Sequence, residues 1–223
     1  MKKIAIIVAG GTGTRMGSAL PKQFLLLKNK PILWHTLNTF TKCLNGEIEL
    51  IVVSHKDYFS LTEEVVQQLA KNTNVQIVAG GETRFDSVKN GLALVKEPAI
   101  IFVHDAVRCL VTKEMIEACY EQAVAVGSAV PAVPATDSIR IIDGNNSKVA
   151  DRNTIRIVQT PQTFSSSILL PAFEQSYVPA FTDEATVVEA YGKDITLIEG
   201  DFNNIKITRP ADIVLAEQLL ASL

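Results

Sequence analysis

The 223-residue chain has the length of one large domain, enough to bury a core without disulfide or metal staples. Hydrophobic residues make up 47% of it, which excludes a disordered or collagen-like chain. Twenty-one Lys and Arg against 24 Asp and Glu give −3, so there is no basic excess for nucleic acid or a membrane surface. Any anionic ligand must be held by a few local cations.

Lys2-Lys3 before Ile4–Ala9 has the look of a signal-peptide start. The apolar run nevertheless stops at Gly10-Gly11 after six residues, short of the roughly 7–15 of an h-region. No stretch approaches the ~20 apolar residues of a membrane span. Cys43, Cys109 and Cys119 have no C-x-x-C spacing, so reduced thiols and a cytoplasmic location are expected.

Short apolar runs at Ile4–Ala9, Leu50–Val53, Val75–Ala79, Ile100–Val103 and Ala129–Val133 alternate with helical patterns. Those patterns cover Ile32–Phe40, Leu61–Ala70, Asp86–Leu94 and Lys113–Val126. Continuous apolar strands separated by helices predict an α/β fold, with one doubly wound, mostly parallel Rossmann-like sheet spanning residues 1–223. From Ser138 the pattern changes to a strand, the turn Asp143-Gly144-Asn145-Asn146, and a short strand ending near Val158. This predicts a β-hairpin at about 137–158. It is either a projecting arm that pairs with another subunit or a surface loop. Further on, Ser167–Gln175 and Asp183–Tyr191 read as helices, the second with Thr182 as N-cap. Thr196–Ile198 and Ile205–Thr208 read as strands, and Pro210–Leu220 as a closing helix.

The most informative stretch, Val8-Ala9-Gly10-Gly11-Thr12-Gly13-Thr14-Arg15-Met16-Gly17, follows the first strand. Glycines there let the backbone turn sharply and bring its N–H groups against a phosphate chain. It is not a Walker A loop, and Met16 stands where a dinucleotide fingerprint starting at Gly11 needs its third glycine. A nicotinamide-dependent dehydrogenase, which shares the layer architecture, is therefore disfavoured. Arg15 and Lys22 follow the glycines, as suits a polyphosphate whose charge grows during reaction. The bland reading is a tight strand-to-helix connection.

Asp105 ends the strand Ile100–Val103, at the sheet edge where ligands of open α/β folds sit. A carboxylate there accepts from ribose hydroxyls or approaches a magnesium ion. Its competing role, capping the next helix, falls better to Thr112. His104 reads as a packed neighbour, not a metal ligand. Arg108 either pairs with Asp105 or contacts a substrate phosphate. In Ile205-Lys206-Ile207 the period of two puts the isoleucines on one face and Lys206, with Asn204 and Thr208, on the other.

The loop and Pro21-Lys22-Gln23 resemble those of sugar- and polyol-phosphate nucleotidyltransferases. The resemblance is closest to the 2-C-methyl-D-erythritol 4-phosphate cytidylyltransferase family, and it runs from about Ile4 to Leu219. It is carried by Gly80-Gly81-Glu82-Thr83-Arg84 with Ser87, His104-Asp105-Ala106-Val107-Arg108, Asp151-Arg152-Asn153 and Gln159-Thr160-Pro161-Gln162. Thr182-Asp183-Glu184-Ala185 and Asn204-Ile205-Lys206-Ile207-Thr208 complete it. The resemblance implies a CTP-dependent enzyme of the non-mevalonate isoprenoid route that uses magnesium and works as a homodimer through the arm. It implies that Arg15, Lys22, Arg152 and Lys206 carry catalysis. CTP would lie against Ala9, Gly10, Gly11, Thr12, Gly13, Thr14, Arg15, Lys22, Asp105 and Lys206, with Gly80, Gly81, Glu82 and Ser87 reading the cytosine edge. The polyol phosphate would meet Asp105, Arg108, Ser138, Arg152, Thr160, Thr182 and Lys206. Magnesium would sit mainly on the phosphates, with Asp105 the one candidate protein ligand.

Some positions depart from the pattern. Gly10 stands where Ala is common, and Val107 and Cys109 flank Arg108 in place of Ala and Pro. The glycine loop and the Val107-Arg108 pair also resemble the ribitol 5-phosphate cytidylyltransferases, which leaves the polyol open between the two.

Overall fold

The computed structural model describes residues 1–11, 20–70 and 73–222. The chain opens with β1 (Lys2–Ala9), β2 (Leu26–Leu27), β3 (Lys30–Pro31), α1 (Ile32–Lys42), β4 (Ile48–Ser54), α2 (Phe59–Val66) and β5 (Val75–Ala79). Next come α3 (Arg84–Leu92), β6 (Ala99–Asp105), α4 (Lys113–Val126), β7 (Ser128–Pro134), β8 (Ile139–Asp143), β9 (Asn146–Ala150) and β10 (Arg156–Val158). The last third holds β11 (Gln162–Ser165), α5 (Ser166–Ala172), α6 (Glu184–Ala190), β12 (Leu197–Glu199) and α7 (Pro210–Ser222).

The main sheet runs β10-β7-β11-β6-β1-β4-β5, with β12 added to β7. Pairings β6-β1, β1-β4, β4-β5 and β7-β12 are parallel; β10 and β11 run antiparallel to their neighbours. Period-two alternation in β1 explains how the sheet is covered. Ile4 and Ile6 face a core completed by Phe85, Val88 and Leu92 of α3 and by α5 and α6. Ala5 and Ile7 face the other core, completed by Leu33, Leu37 and Phe40 of α1 and by α4. Both faces are thus buried, as a doubly wound sheet requires. Burying each aliphatic side chain contributes about 1.5–3 kcal/mol.

Helix boundaries follow local chemistry. Thr112 caps α4 by accepting from the Met115 amide, and Gly127 ends that helix at φ +91°, a left-handed conformation that favours glycine. The cap of α6 is Asp183, not Thr182: its carboxylate accepts from the Thr186 amide in a capping box. Carboxylates compete well for this position, and Asp183 is one residue closer to the helix.

Three other expectations need correction. Ile205–Thr208 joins no sheet; the segment is held by Ile207 N–H donating to Val107 O at 3.0 Å. The alternation of its side chains survives without a ladder, with Ile207 buried against Val107 and Ala216 and Lys206 exposed. Asn204 does not share that exposed face, because it is buried and its Nδ2 donates to Thr160 O at 2.9 Å. β11 was not foreseen; Gln162–Ser165 is too short and polar for periodicity to reveal. The expected hairpin is β8–β9 alone, since β10 joins the main sheet through β7. Among the described residues that hairpin pairs only with itself; it turns at Gly144 (φ +57°) and leaves Ile141, Ile142 and Val149 exposed.

Candidate functional site

A cleft of about 270 Å³ opens at the carboxyl ends of β1 and β6. Among the described residues it is lined by Val8–Gly11, Lys22, Gln23, Gly81–Arg84, Ser87, Asp105–Val107 and Lys206. Each wall has a local cause. Gln23 is buried, and its Nε2 donates to Ala9 O at 2.6 Å and Gly11 O at 3.0 Å, pinning the start of the glycine turn. Lys22, on the same 3-10 turn (Lys22–Phe24), donates to Ile207 O at 3.0 Å, so the chain that presents Lys206 also holds Lys22. At the Gly81–Ser87 part of the lining Thr83 caps α3 in a capping box with Asp86, and Gly81 N–H donates to Ser87 Oγ at 3.1 Å. A Cβ on Gly81 would lie 2.3 Å from the Asp86 Cβ, so this turn requires glycine.

Asp105 is the electrostatic centre. Lys206 Nζ is 2.8 Å from its Oδ2, Arg84 Nη2 is 3.6 Å from Oδ1, and Arg108 Nε is 3.7 Å from Oδ2. Burial works to raise its pKa, but Arg84, then Lys206 and Arg108, overcome burial and hold the carboxyl well below the usual range. Behind it runs a chain of hydrogen bonds. Asp105 N–H donates to Thr160 Oγ1 at 3.0 Å, and Thr160 lies 3.1 Å from His104 Nδ1. His104 Nε2 in turn lies 3.1 Å from Arg108 O. The Thr160 hydroxyl, already accepting from Asp105, donates its proton to Nδ1, and Nε2–H donates to the carbonyl. This is the neutral imidazole, and burial lowers the pKa of His104 to about 4.

The expected residues divide accordingly. Ala9, Gly10, Gly11, Lys22, Gly81, Glu82, Ser87, Asp105 and Lys206 come together in the cleft. Thr12, Gly13, Thr14 and Arg15 lie outside the described residues. Gly80, Arg108, Thr160 and Thr182 do not line the cleft. Arg108 points its Nη1 at Asn204 O, 2.8 Å away, and Thr160 is buried behind Asp105. Thr182 is exposed, with its N–H on Thr186 Oγ1. Ser138 and Arg152 are exposed at the base of the arm, where Arg152 Nη1 donates to Thr136 O at 2.7 Å. Arg84 and Gln23 were missed as site residues. Arg84 follows Gly80-Gly81-Glu82-Thr83 directly, so a cation beside a glycine turn was the available signal.

The donor set does not fit a resident magnesium ion. Among the described residues there is no cluster of three His, Cys, Asp or Glu side chains. Asp105, the carboxylate expected to approach the metal, is already flanked by three cations. The three thiols are buried and free, and burial pushes each up to about 12, so none is a nucleophile at neutral pH.

A glycine-walled cleft at the strand ends, with Lys22, Arg84 and Lys206 facing it, defines a Rossmann-like enzyme that handles a polyphosphate nucleotide. The IspD family model, 2-C-methyl-D-erythritol 4-phosphate cytidylyltransferase, matches residues 3–222. The chain belongs to this family of CTP-dependent nucleotidyltransferases. The 2-C-methyl-D-erythritol 4-phosphate cytidylyltransferase of Bacteroides thetaiotaomicron is 43% identical over 220 residues, covering 99% of this chain and 100% of that protein. That of Porphyromonas gingivalis is 42% identical over 222 residues, covering 99% of each. The solved structure of the Francisella tularensis enzyme superposes with a TM-score of 0.82 at 30% identity, over 98% of this chain and 99% of that one. No described helix is long and apolar enough to cross a membrane.

Proposed function

We propose that the protein transfers CMP from CTP to 2-C-methyl-D-erythritol 4-phosphate, releasing diphosphate, in isoprenoid precursor synthesis. The observation that carries this reading is the joint position of Lys22 and Lys206 on one cleft together with Gly81, Glu82 and Ser87. The substrate phosphate oxygen attacks the α-phosphorus of CTP in line, a P–O bond forms, and diphosphate leaves with the electrons of the bond that breaks. The attacking oxygen is already anionic, so no protein nucleophile is needed. Catalysis is positioning plus stabilisation of charge. Lys22 and Arg15 stabilise charge growing on the triphosphate; Lys206 and Arg152 position the attacking phosphate. Asp105 accepts from the ribose, while Gly81, Glu82 and Ser87 read the cytosine edge. Magnesium enters as part of the metal–CTP substrate, held by phosphate oxygens.

The whole chain acts as one nucleotidyltransferase domain, working as a cytoplasmic homodimer. An isolated two-stranded hairpin is marginal in water. Ile142 and Val149, exposed on one face of β8–β9, and Ile141, exposed on the other, give the arm apolar surface for a second copy of the chain. The arm then carries Ser138 and Arg152 towards the partner's cleft.

Mass spectrometry of a reaction containing CTP, magnesium and the methylerythritol phosphate tests this reading. The CDP-methylerythritol product and equimolar diphosphate are expected. Their absence from a folded, CTP-binding preparation would overturn it.

A further inference from the structure

Arg84 and Glu184, 100 residues apart, meet in a bidentate pair: Nη1 to Oε1 at 2.5 Å and Nη2 to Oε2 at 3.1 Å. The Glu184 side chain is fully buried, while Arg84 keeps 28% exposure and lines the cleft. Charges then alternate across the site, from Glu184 to Arg84, to Asp105 Oδ1 at 3.6 Å, and from Asp105 Oδ2 to Lys206 at 2.8 Å. Glu184 is itself firmly anchored. Asp183 caps its helix, Gln162 Nε2 donates to Asp183 Oδ2 at 2.9 Å, and Ala185 N–H donates to Gln162 Oε1 at 2.8 Å.

Stability alone is a weak reason for this pair. Apolar side chains of similar volume are often as stabilising as a buried ion pair, or more so. What a bidentate fork supplies is direction: it fixes the plane of the guanidinium and hence which atoms face the cleft. Asp105 is consequently drawn from two sides, by Arg84 at one oxygen and Lys206 at the other. Without Arg84, the pull of Lys206 and Arg108 on Oδ2 has no counterpart at Oδ1.

We propose that Glu184 is a positioning residue that holds Arg84 against Asp105, and that the pair thereby sets the preference for a ribonucleotide over its deoxy analogues. The proposal rests on the cleft being a CTP site with Asp105 on the ribose.

The test compares kcat/KM for CTP with that for 2′-deoxy- and 3′-deoxy-CTP, in the wild-type protein and in Glu184→Gln. The wild type is expected to prefer CTP at least tenfold over one of the analogues. Glu184→Gln should narrow that preference to about threefold or less, with the change falling mainly on KM for CTP. A purely structural role would lower active protein without moving the ratio. An unchanged ratio in Glu184→Gln therefore overturns the proposal while leaving the CTP reading standing. A wild type that uses CTP but discriminates against neither analogue overturns the ribose assignment, and the proposal with it. No turnover of CTP at all overturns the function itself. Should Glu184→Gln not fold, the double variant Arg84→Met/Glu184→Leu replaces the pair with apolar side chains. It is expected to melt within about 5 °C of wild type and to lose the preference; retention of the preference would again overturn the proposal.

Discussion

Lys206 Nζ lies 2.8 Å from Asp105 Oδ2, so among the described residues the most exposed cation of the cleft rests on its most buried carboxylate. The Lys206 side chain is 42% exposed, leaving the ammonium room for a second anionic partner. In the proposed reaction that partner is a phosphate, and Asp105 keeps the lysine in place before it arrives. Such preorganisation lets charge that develops later meet a donor that need not move.

Lys22 is held by Ile207 O on the side of the cleft next to Lys206. If it acts mainly on charge developing in the transition state, Lys22→Ala should lower kcat by about 10²–10³. The affinity for CTP should change much less. Steady-state kinetics together with calorimetric CTP titration separate the two effects. A tenfold loss of affinity with kcat near wild type would make Lys22 a ground-state binding residue.

The Gly81–Ser87 wall is closely packed, and the turn has no room for a Cβ at Gly81. A site whose buried polar groups match one base rejects an analogue that leaves them unpaired. UTP replaces the amino donor of cytosine with an acceptor, and in a competition assay CTP should be strongly preferred. Equal use of the two nucleotides would contradict base reading by this turn.

His104 gives a stability signature. Burial holds its folded-state pKa near 4, below the ordinary 6.5, so the unfolded chain takes up the proton first as the pH falls. Its contribution is therefore complete above about pH 6.5 and is lost towards pH 4. Linkage puts the loss between pH 7 and pH 5 at about 2 kcal/mol. Asp105 acts lower, since its contribution is lost only below the ordinary carboxylate value of 3.8. Urea denaturation at the two pH values should show the loss in wild type, and His104→Gln should show a flatter dependence. Parallel dependences would mean that His104 takes up its proton at the same pH in the folded and unfolded chain, contrary to a buried neutral imidazole.

If the arm crosses a two-fold axis, each cleft combines Lys206 of one subunit with Arg152 of the other. Lys206→Ala and Arg152→Ala should each be nearly inactive. A mixed dimer of the two would hold one doubly defective site and one intact site. Random re-pairing makes half of the dimers mixed, so about a quarter of wild-type activity should return. Subunit exchange is verified with differently tagged chains, and exchange without recovered activity would rule out a shared site.

The parts of the fold written in strong periodicity were readable from the sequence. Val75–Ala79 and Lys113–Val126 have the expected boundaries, because β-branched runs and a capped amphipathic helix report their own geometry. β11 was not readable: its four residues are fixed by pairing with β6 and β7, a tertiary cause with no local trace. The same reason hid Glu184. Its partner Arg84 is distant in the chain, and nothing near either residue marks the pair. By contrast, Lys206 between two isoleucines carried its own signal, and it reaches the cleft even though its segment is not a strand.

The reaction and its acceptor are decided together in one competition experiment. Diphosphate release from CTP is followed with 2-C-methyl-D-erythritol 4-phosphate and ribitol 5-phosphate as competing acceptors. Turnover is expected with the methylerythritol phosphate, with a kcat/KM about 100-fold or more above that for ribitol 5-phosphate; a site built to hydrogen-bond its substrate can reach about 10⁴–10⁵. Preferential use of ribitol 5-phosphate would contradict the methylerythritol assignment.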